Sequence, residues 1–225
     1  MSAATESDPA VAGAAERPDP AQRGEARNRV LAAALEAISA GGPEKVTVRD
    51  IARRAGMSPG HVMYYFGRRE RILIETLLLS EQDLAETRSV RLARHRDPWL
   101  AVRSFIDLYL PQQATDIRWN LWTQMYARPP RDAESRERLT AVEQHWSRDL
   151  TELVRTGSAT GRFRASGPED RPEDAAFRLC KLLDGLALEV ILDYPGRDTR
   201  WARRTAEDAA RRELLPADGS TDRPA

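Results

Sequence analysis

Pro59, Gly60 and His61 are the residues of this chain whose types and placing point most directly to chemistry. They follow Ser58, a side chain suited to capping a helix, and Pro59 fits the first helical position, where a missing N–H costs nothing. The three therefore stand at the front of a short helix. There Gly60 permits close approach of another molecule, and the His61 ring can donate or accept a hydrogen bond. That is equipment for contacting base edges rather than for catalysis. The other reactive types are scattered. His61, His95 and His145 are too dispersed to suggest a metal cluster, and the lone Cys180 lies in an apolar run, where packing is the better reading than nucleophilicity. No His-Glu-x-x-His, Gly-x-Ser-x-Gly, Gly-Lys-Ser or Gly-x-Gly-x-x-Gly pattern occurs, so no catalytic residue, metal or cofactor is expected.

The elements that must hold those three residues can be read around them. Val48, Ile51, Ala52 and Ala55 fall at i, i+3, i+4 and i+7, one apolar stripe at helical period. Thr47 stands at the N-cap with Asp50 three residues on, a weak capping box because Glu or Gln is the preferred partner. Gly56 ends this helix in the left-handed conformation. Val62 and Phe66 give the next helix its apolar edge. Two short helices joined by a Gly-containing turn form a helix-turn-helix, whose second helix enters the major groove of DNA. The alternative is a pair of core helices with no nucleic acid. Charge favours DNA modestly: residues 23–75 carry ten Arg/Lys against six Asp/Glu, whereas the whole chain is neutral.

Residues 1–20 lack large apolar side chains and are expected to form a disordered tail, with 216–225 a flexible one. A first helix runs from about Ala21 to Ala40 on a stripe of Val30, Leu31, Ala34, Leu35 and Ile38. Its arginines Arg23, Arg27 and Arg29 either reach phosphates or form a solvated face. A helix from about Arg69 to Arg94 starts directly behind the reading helix. Its free N–H groups, with Arg68 and Arg69, make an anion site there. Further helices are expected from Pro98 to Pro111, Asp116 to Ala127, Asp132 to Thr156 with Gly157 as the stop, Pro172 to Asp193 and Thr199 to Leu215, with no convincing strand. The single cysteine excludes an internal disulfide and suits a reducing cytosol. No secretory start and no 18-residue apolar run is present, so a cytoplasmic protein without a membrane partner is expected.

The string Thr47…Ile51-Ala52…Ala55-Gly56-Met57-Ser58-Pro59-Gly60…Tyr65-Phe66…Arg69-Glu70…Leu73 resembles the TetR family of bacterial repressors over about residues 21–75. The resemblance implies an all-α fold: a three-helix helix-turn-helix DNA-binding domain over 21–67, then a larger helical ligand-binding and dimerisation domain over 68–215. It places Pro59, Gly60 and His61 in the groove, Arg49 near a base or phosphate, and Thr47, Ser58, Tyr65 and Arg69 on phosphates. Met63 stands where many members have Tyr, and Tyr64 is the substitute for that contact. It also implies a homodimer through the last two helices, 172–193 and 199–215, a pseudo-palindromic double-stranded operator, and a small-molecule effector that releases the repressor; the 69–94 helix, which touches both parts, is expected to be the lever. Leu182-Leu183-Asp184-Gly185-Leu186 and Leu121-Trp122 with Met125 resemble the BetI-type subgroup.

For the effector, Trp119, Trp122 and Tyr126 lie at i, i+3 and i+7 on one helix face. With Phe105, Tyr109, Met125, His145 and Trp146 they either line an aromatic cavity or simply pack the core. A cation held by ring faces, with Asp184 or Glu189 as counter-ion, is the sharper reading. Against DNA binding stand two rival classes: an enzyme, for which no motif speaks, and a helical interaction module, against which the basic N-terminal segment speaks.

Overall fold

The computed structural model describes residues 19–164 and 171–216, and the expected tails and the 165–170 stretch lie largely outside them. Within the described residues the chain is helical throughout: α1 Pro20–Gly41, α2 Val48–Ala55, α3 Pro59–Phe66, α4 Arg69–Ala93, α5 Pro98–Tyr109, α6 Ile117–Ala127, α7 Ala133–Ala159, α8 Pro172–Ile191 and α9 Thr199–Leu214. None of these helices is long and apolar enough to cross a membrane.

The N-terminal unit folds around Val30, Ala34, Ile38, Ile51, Val62 and Phe66, each no more than 2% exposed. Local chemistry sets its turns. The Thr47 hydroxyl accepts from the Asp50 N–H at 3.1 Å, and Asp50 accepts from the Thr47 N–H at 3.3 Å. Asp thus closes the capping box despite its shorter reach. Gly56 takes φ 67° and ψ 33°, the left-handed region that glycine enters at least cost. Ser58 Oγ accepts from the His61 N–H at 3.1 Å and starts α3 in line with its proline.

α4 is the shared beam. At 1.5 Å per residue it is about 37 Å long, and it packs on α1 and α3 at one end and on α5, α6 and α7 beyond. α5, α7, α8 and α9 complete the C-terminal bundle, with Leu150, Ala176, Ala187, Ala202 and Ala210 at 1% exposure or less. Cys180 is buried on α8, and burial pushes its thiol up to about 12.

One boundary departs from expectation. Gly157 does not stop α7, which runs on to Ala159. The glycine serves packing instead: a Cβ there would lie 1.9 Å from the Phe163 ring, which folds back over it. The Phe163 N–H donates to the Gly157 carbonyl at 3.0 Å, and the Arg164 N–H reaches the Leu214 carbonyl at 2.8 Å, so the chain reversal is tied to the end of α9.

Candidate nucleic-acid interface and effector site

The front of α3 is open. Pro59, Gly60 and His61 are exposed, and a Cβ added at Gly60 would meet nothing within 4 Å. His61 stacks on Tyr65 with ring centroids 5.1 Å apart, and Tyr64, 64% exposed, stands edge-on to Tyr65 at 5.4 Å. The His61 ring is therefore braced from behind. Arg49 is exposed on α2 and Ser58 at the α3 cap. Thr47 is exposed too, but its hydroxyl donates to Asp50 at 2.6 Å.

Two arginines, Arg69, expected on a phosphate, and Arg27, expected on a phosphate or on a solvated face, are bonded within the protein. Arg69 Nε donates to the Val46 carbonyl at 2.6 Å, and its terminal nitrogen bonds the Pro43 carbonyl. Its guanidinium thus satisfies the α1–α2 connection, a task set by carbonyls that folding brings to it. Arg27 turns inward similarly: it donates to the Tyr65 carbonyl at 3.2 Å and lies 4.7 Å over the Phe66 ring. The join to the C-terminal bundle is made by charge. Arg68 pairs with Asp132, Arg71 with Glu134 at 3.2 Å, Arg138 with Glu75 at 2.7 Å, and Gln124 donates to Glu44 at 3.1 Å.

Deeper in the bundle, four aromatic rings meet and a further pair lies beside them. Phe105, Tyr109, Trp119 and Trp146 pack with centroids 4.9–5.8 Å apart, and Trp122 stacks on Tyr126 at the rim, 5.7 Å away. At their centre is a carboxylate that periodicity alone did not single out. Glu81, 3% exposed, accepts from the Trp122 indole at 2.7 Å, the Trp146 indole at 2.9 Å and Arg118 at 3.3 Å. The signal was there: Glu81 sits four residues after Leu77 and three after Leu78, where the apolar stripe of α4 calls for a hydrophobe. Arg118 also lies 5.3 Å from the Trp119 ring centre and 5.6 Å from that of Trp146, and donates to the Tyr109 carbonyl. Arg88, 4% exposed, also lies over Trp146, 3.9 Å from its ring centre.

The other expected effector residues fall differently. Met125 is buried but faces the start of α4. Tyr126 is 45% exposed. His145 is exposed and bonded to the Ala141 carbonyl at 2.6 Å, outside the cluster; one helical step of about 100° separates its direction from that of Trp146. Asp184 accepts from the Tyr109 hydroxyl at 2.6 Å and from Lys181 at 2.7 Å, so it steers a ring and is not a free counter-ion. Burial, then the adjacent Asp184 charge, raise the Tyr109 pKa, which keeps that phenol a donor. Glu189 pairs with Arg197 at 3.6 Å, near the surface.

An exposed short helix on a capped turn, joined by one long helix to a further helical bundle, is the architecture of a helix-turn-helix DNA-binding protein with a helical C-terminal part. Residues 30–76 match the family model described as bacterial regulatory proteins, tetR family, and residues 100–215 match that of the BetI-type transcriptional repressor C-terminal domain. The chain is 30% identical over 185 residues to the HTH-type transcriptional regulator BetI of Ectopseudomonas mendocina, covering 81% of this chain and 90% of that protein. BetI of Rhizobium meliloti is 30% identical over 172 residues, 74% of this chain and 78% of that one. The fold matches the crystal structure of a Saccharomonospora viridis transcriptional regulator in complex with choline, at TM-score 0.76 and 24% identity, covering 86% of this chain and all of that one. The chain belongs to the TetR family of transcriptional regulators, with a C-terminal domain of the BetI repressor type. Proteins of this family bind DNA operators and small-molecule effectors, typically as dimers.

Proposed function

We propose that the chain is a repressor that binds a pseudo-palindromic operator as a homodimer and leaves it when a quaternary-ammonium compound enters the cluster around Glu81. One observation carries the effector reading: the cluster already holds a cation. The Arg118 guanidinium pairs with a buried carboxylate beside two indole faces, the surroundings that an alkylammonium ion prefers. The regulator from Saccharomonospora viridis, of the same fold, holds choline, which suits that chemistry. The effector enters by displacing Arg118. Two helices carry the change outward. α6 bears Arg118 near its start and Gln124, bonded to Glu44 before α2, towards its end. α4 bears Glu81 and, at its first residue, Arg69. The effector shifts the equilibrium only as far as it prefers the displaced state.

On the operator, Pro59, Gly60 and His61 face base edges, while Arg49, Thr47, Ser58, Tyr64 and Tyr65 meet the backbone. DNA from upstream of the chain's own coding region is expected to bind at low salt and to be released by choline. Absence of binding at low salt rules out the operator reading; a complex and a melting temperature both indifferent to choline rule out the effector. His61→Ala is expected to cost about 1–3 kcal/mol of discrimination at one base position, read as fluorescence anisotropy against a set of single-base operator variants. Equal loss on every variant would assign His61 to the backbone.

The dimer forms through α8 and α9. Phe177, Lys181 and Gly185 make one exposed stripe along α8 that continues to Leu192 at its C-cap; Phe177 is 60% and Leu192 58% exposed, and the space above Gly185 is open to a partner helix. Phe177→Glu is expected to give a monomer by light scattering that no longer protects both half-sites. A variant that stays dimeric moves the interface off this stripe.

A further inference from the structure

A cavity of about 530 Å3 opens where the start of α4 meets the end of α6 and the turn into α7. Its wall holds Arg68, Arg69, Arg128 and Arg131, against one acid, Glu70. That acid is already engaged by Arg68 at 3.5 Å, and Arg68 pairs with Asp132 as well. Arg69 spends its donors on carbonyls, which leaves its charge uncompensated by any carboxylate. Arg128 and Arg131 are exposed and form no ion pair among the described residues. The charges feel one another: burial, and then the neighbouring Arg128, pull the Arg69 pKa down. Arg69, Arg128 and Arg131, which no carboxylate neutralises among the described residues, repel one another until an anion joins them. Leu73, Met125 and Pro129 line the same space with apolar surface, so it is a pocket for a molecule and not merely a charged ridge.

We propose that this cavity binds a small molecule carrying two or more negative charges, as phosphate or carboxylate, gripped chiefly by Arg128 and Arg131. The site is separate from the aromatic cluster and stands whether or not that cluster takes a cation. Its position gives it a role. Arg68 and Arg69 flank the reading helix, whereas Arg128 and Arg131 belong to the α6–α7 corner, so a bound anion spans the junction that the Arg68–Asp132 and Arg71–Glu134 pairs already tie.

The test titrates the full-length protein with pyrophosphate, and separately with citrate, at constant ionic strength, reading heat and melting temperature. Saturable binding of at least one of them is expected, at least tenfold weaker in R128A/R131A. R128K/R131K is expected to fall between, since it keeps the charges and loses the planar forks. Preference between the two anions identifies phosphate or carboxylate as the group recognised. Neither side chain is buried, and an unchanged circular dichroism spectrum shows that the variants are folded. Equal responses of parent and R128A/R131A, or no response to either anion, overturn the proposal. So does a salt slope of operator binding that falls by about two in R128A/R131A, because those arginines then lie on the DNA backbone.

Discussion

Glu81→Ala is expected to lower the stability of the folded chain by roughly 3–5 kcal/mol, the range for a buried ion pair robbed of one partner. The substitution strands the Arg118 guanidinium, whose side chain is 11% exposed, and leaves the indole N–H groups of Trp122 and Trp146 without their acceptor. Denaturant unfolding measures the loss. A change below about 1 kcal/mol would mean that water reaches the site and solvates all three donors. Glu81→Leu with Arg118→Met is the informative companion. An apolar pair of similar volume restores part of the stability because no buried charge remains. The restoration stays partial, since the two indole donors are still unsatisfied. If Glu81 is what a quaternary ammonium seeks, this double variant folds, binds operator and ignores choline. A double variant that still responds to choline would place the effector elsewhere.

Arg69→Ala and Arg49→Ala are expected to weaken operator binding for different reasons. Loss of Arg69 removes charge-assisted hydrogen bonds to the Val46 and Pro43 carbonyls, each worth about 1.5–3 kcal/mol. The connection before α2 loosens, the N-terminal unit melts earlier, and affinity falls with little change in the slope of log affinity against log salt. Loss of exposed Arg49 leaves melting untouched and reduces that slope by about one, the mark of one phosphate contact given up. The reverse pattern would return Arg69 to the DNA backbone.

The reading unit was legible in the sequence because its determinants are local. The Thr47–Asp50 box, the left-handed Gly56, and the Ser58-Pro59 start each depend on residues a few positions apart. The carbonyl partners of Arg69 were not legible for the opposite reason. Its partners lie 23 and 26 residues earlier in the chain, and only the finished fold brings their carbonyls to it. The aromatic stripe on α6 announced a cluster, but its centre came from other helices. Glu81 is 41 residues from Trp122 and 65 from Trp146, so periodicity within any single helix shows it as an anomaly without naming its partners. Gly157 carries a related lesson: a glycine near a helix end reads as a stop until the Phe163 ring that needs its space is seen.

The empty space over Gly60 bears on how such regulators diversify. The residue lies in ordinary helical backbone, and the protein around it offers no obstacle to a side chain. Filling the position leaves the fold intact and even favours it, since glycine inside a helix is the less stable choice by roughly 0.5–1 kcal/mol relative to alanine. Whatever is added there meets no other part of the protein within 4 Å of its Cβ. On the operator reading proposed above, one substitution here changes the target sequence while the cluster around Glu81, on other helices, is inherited unchanged.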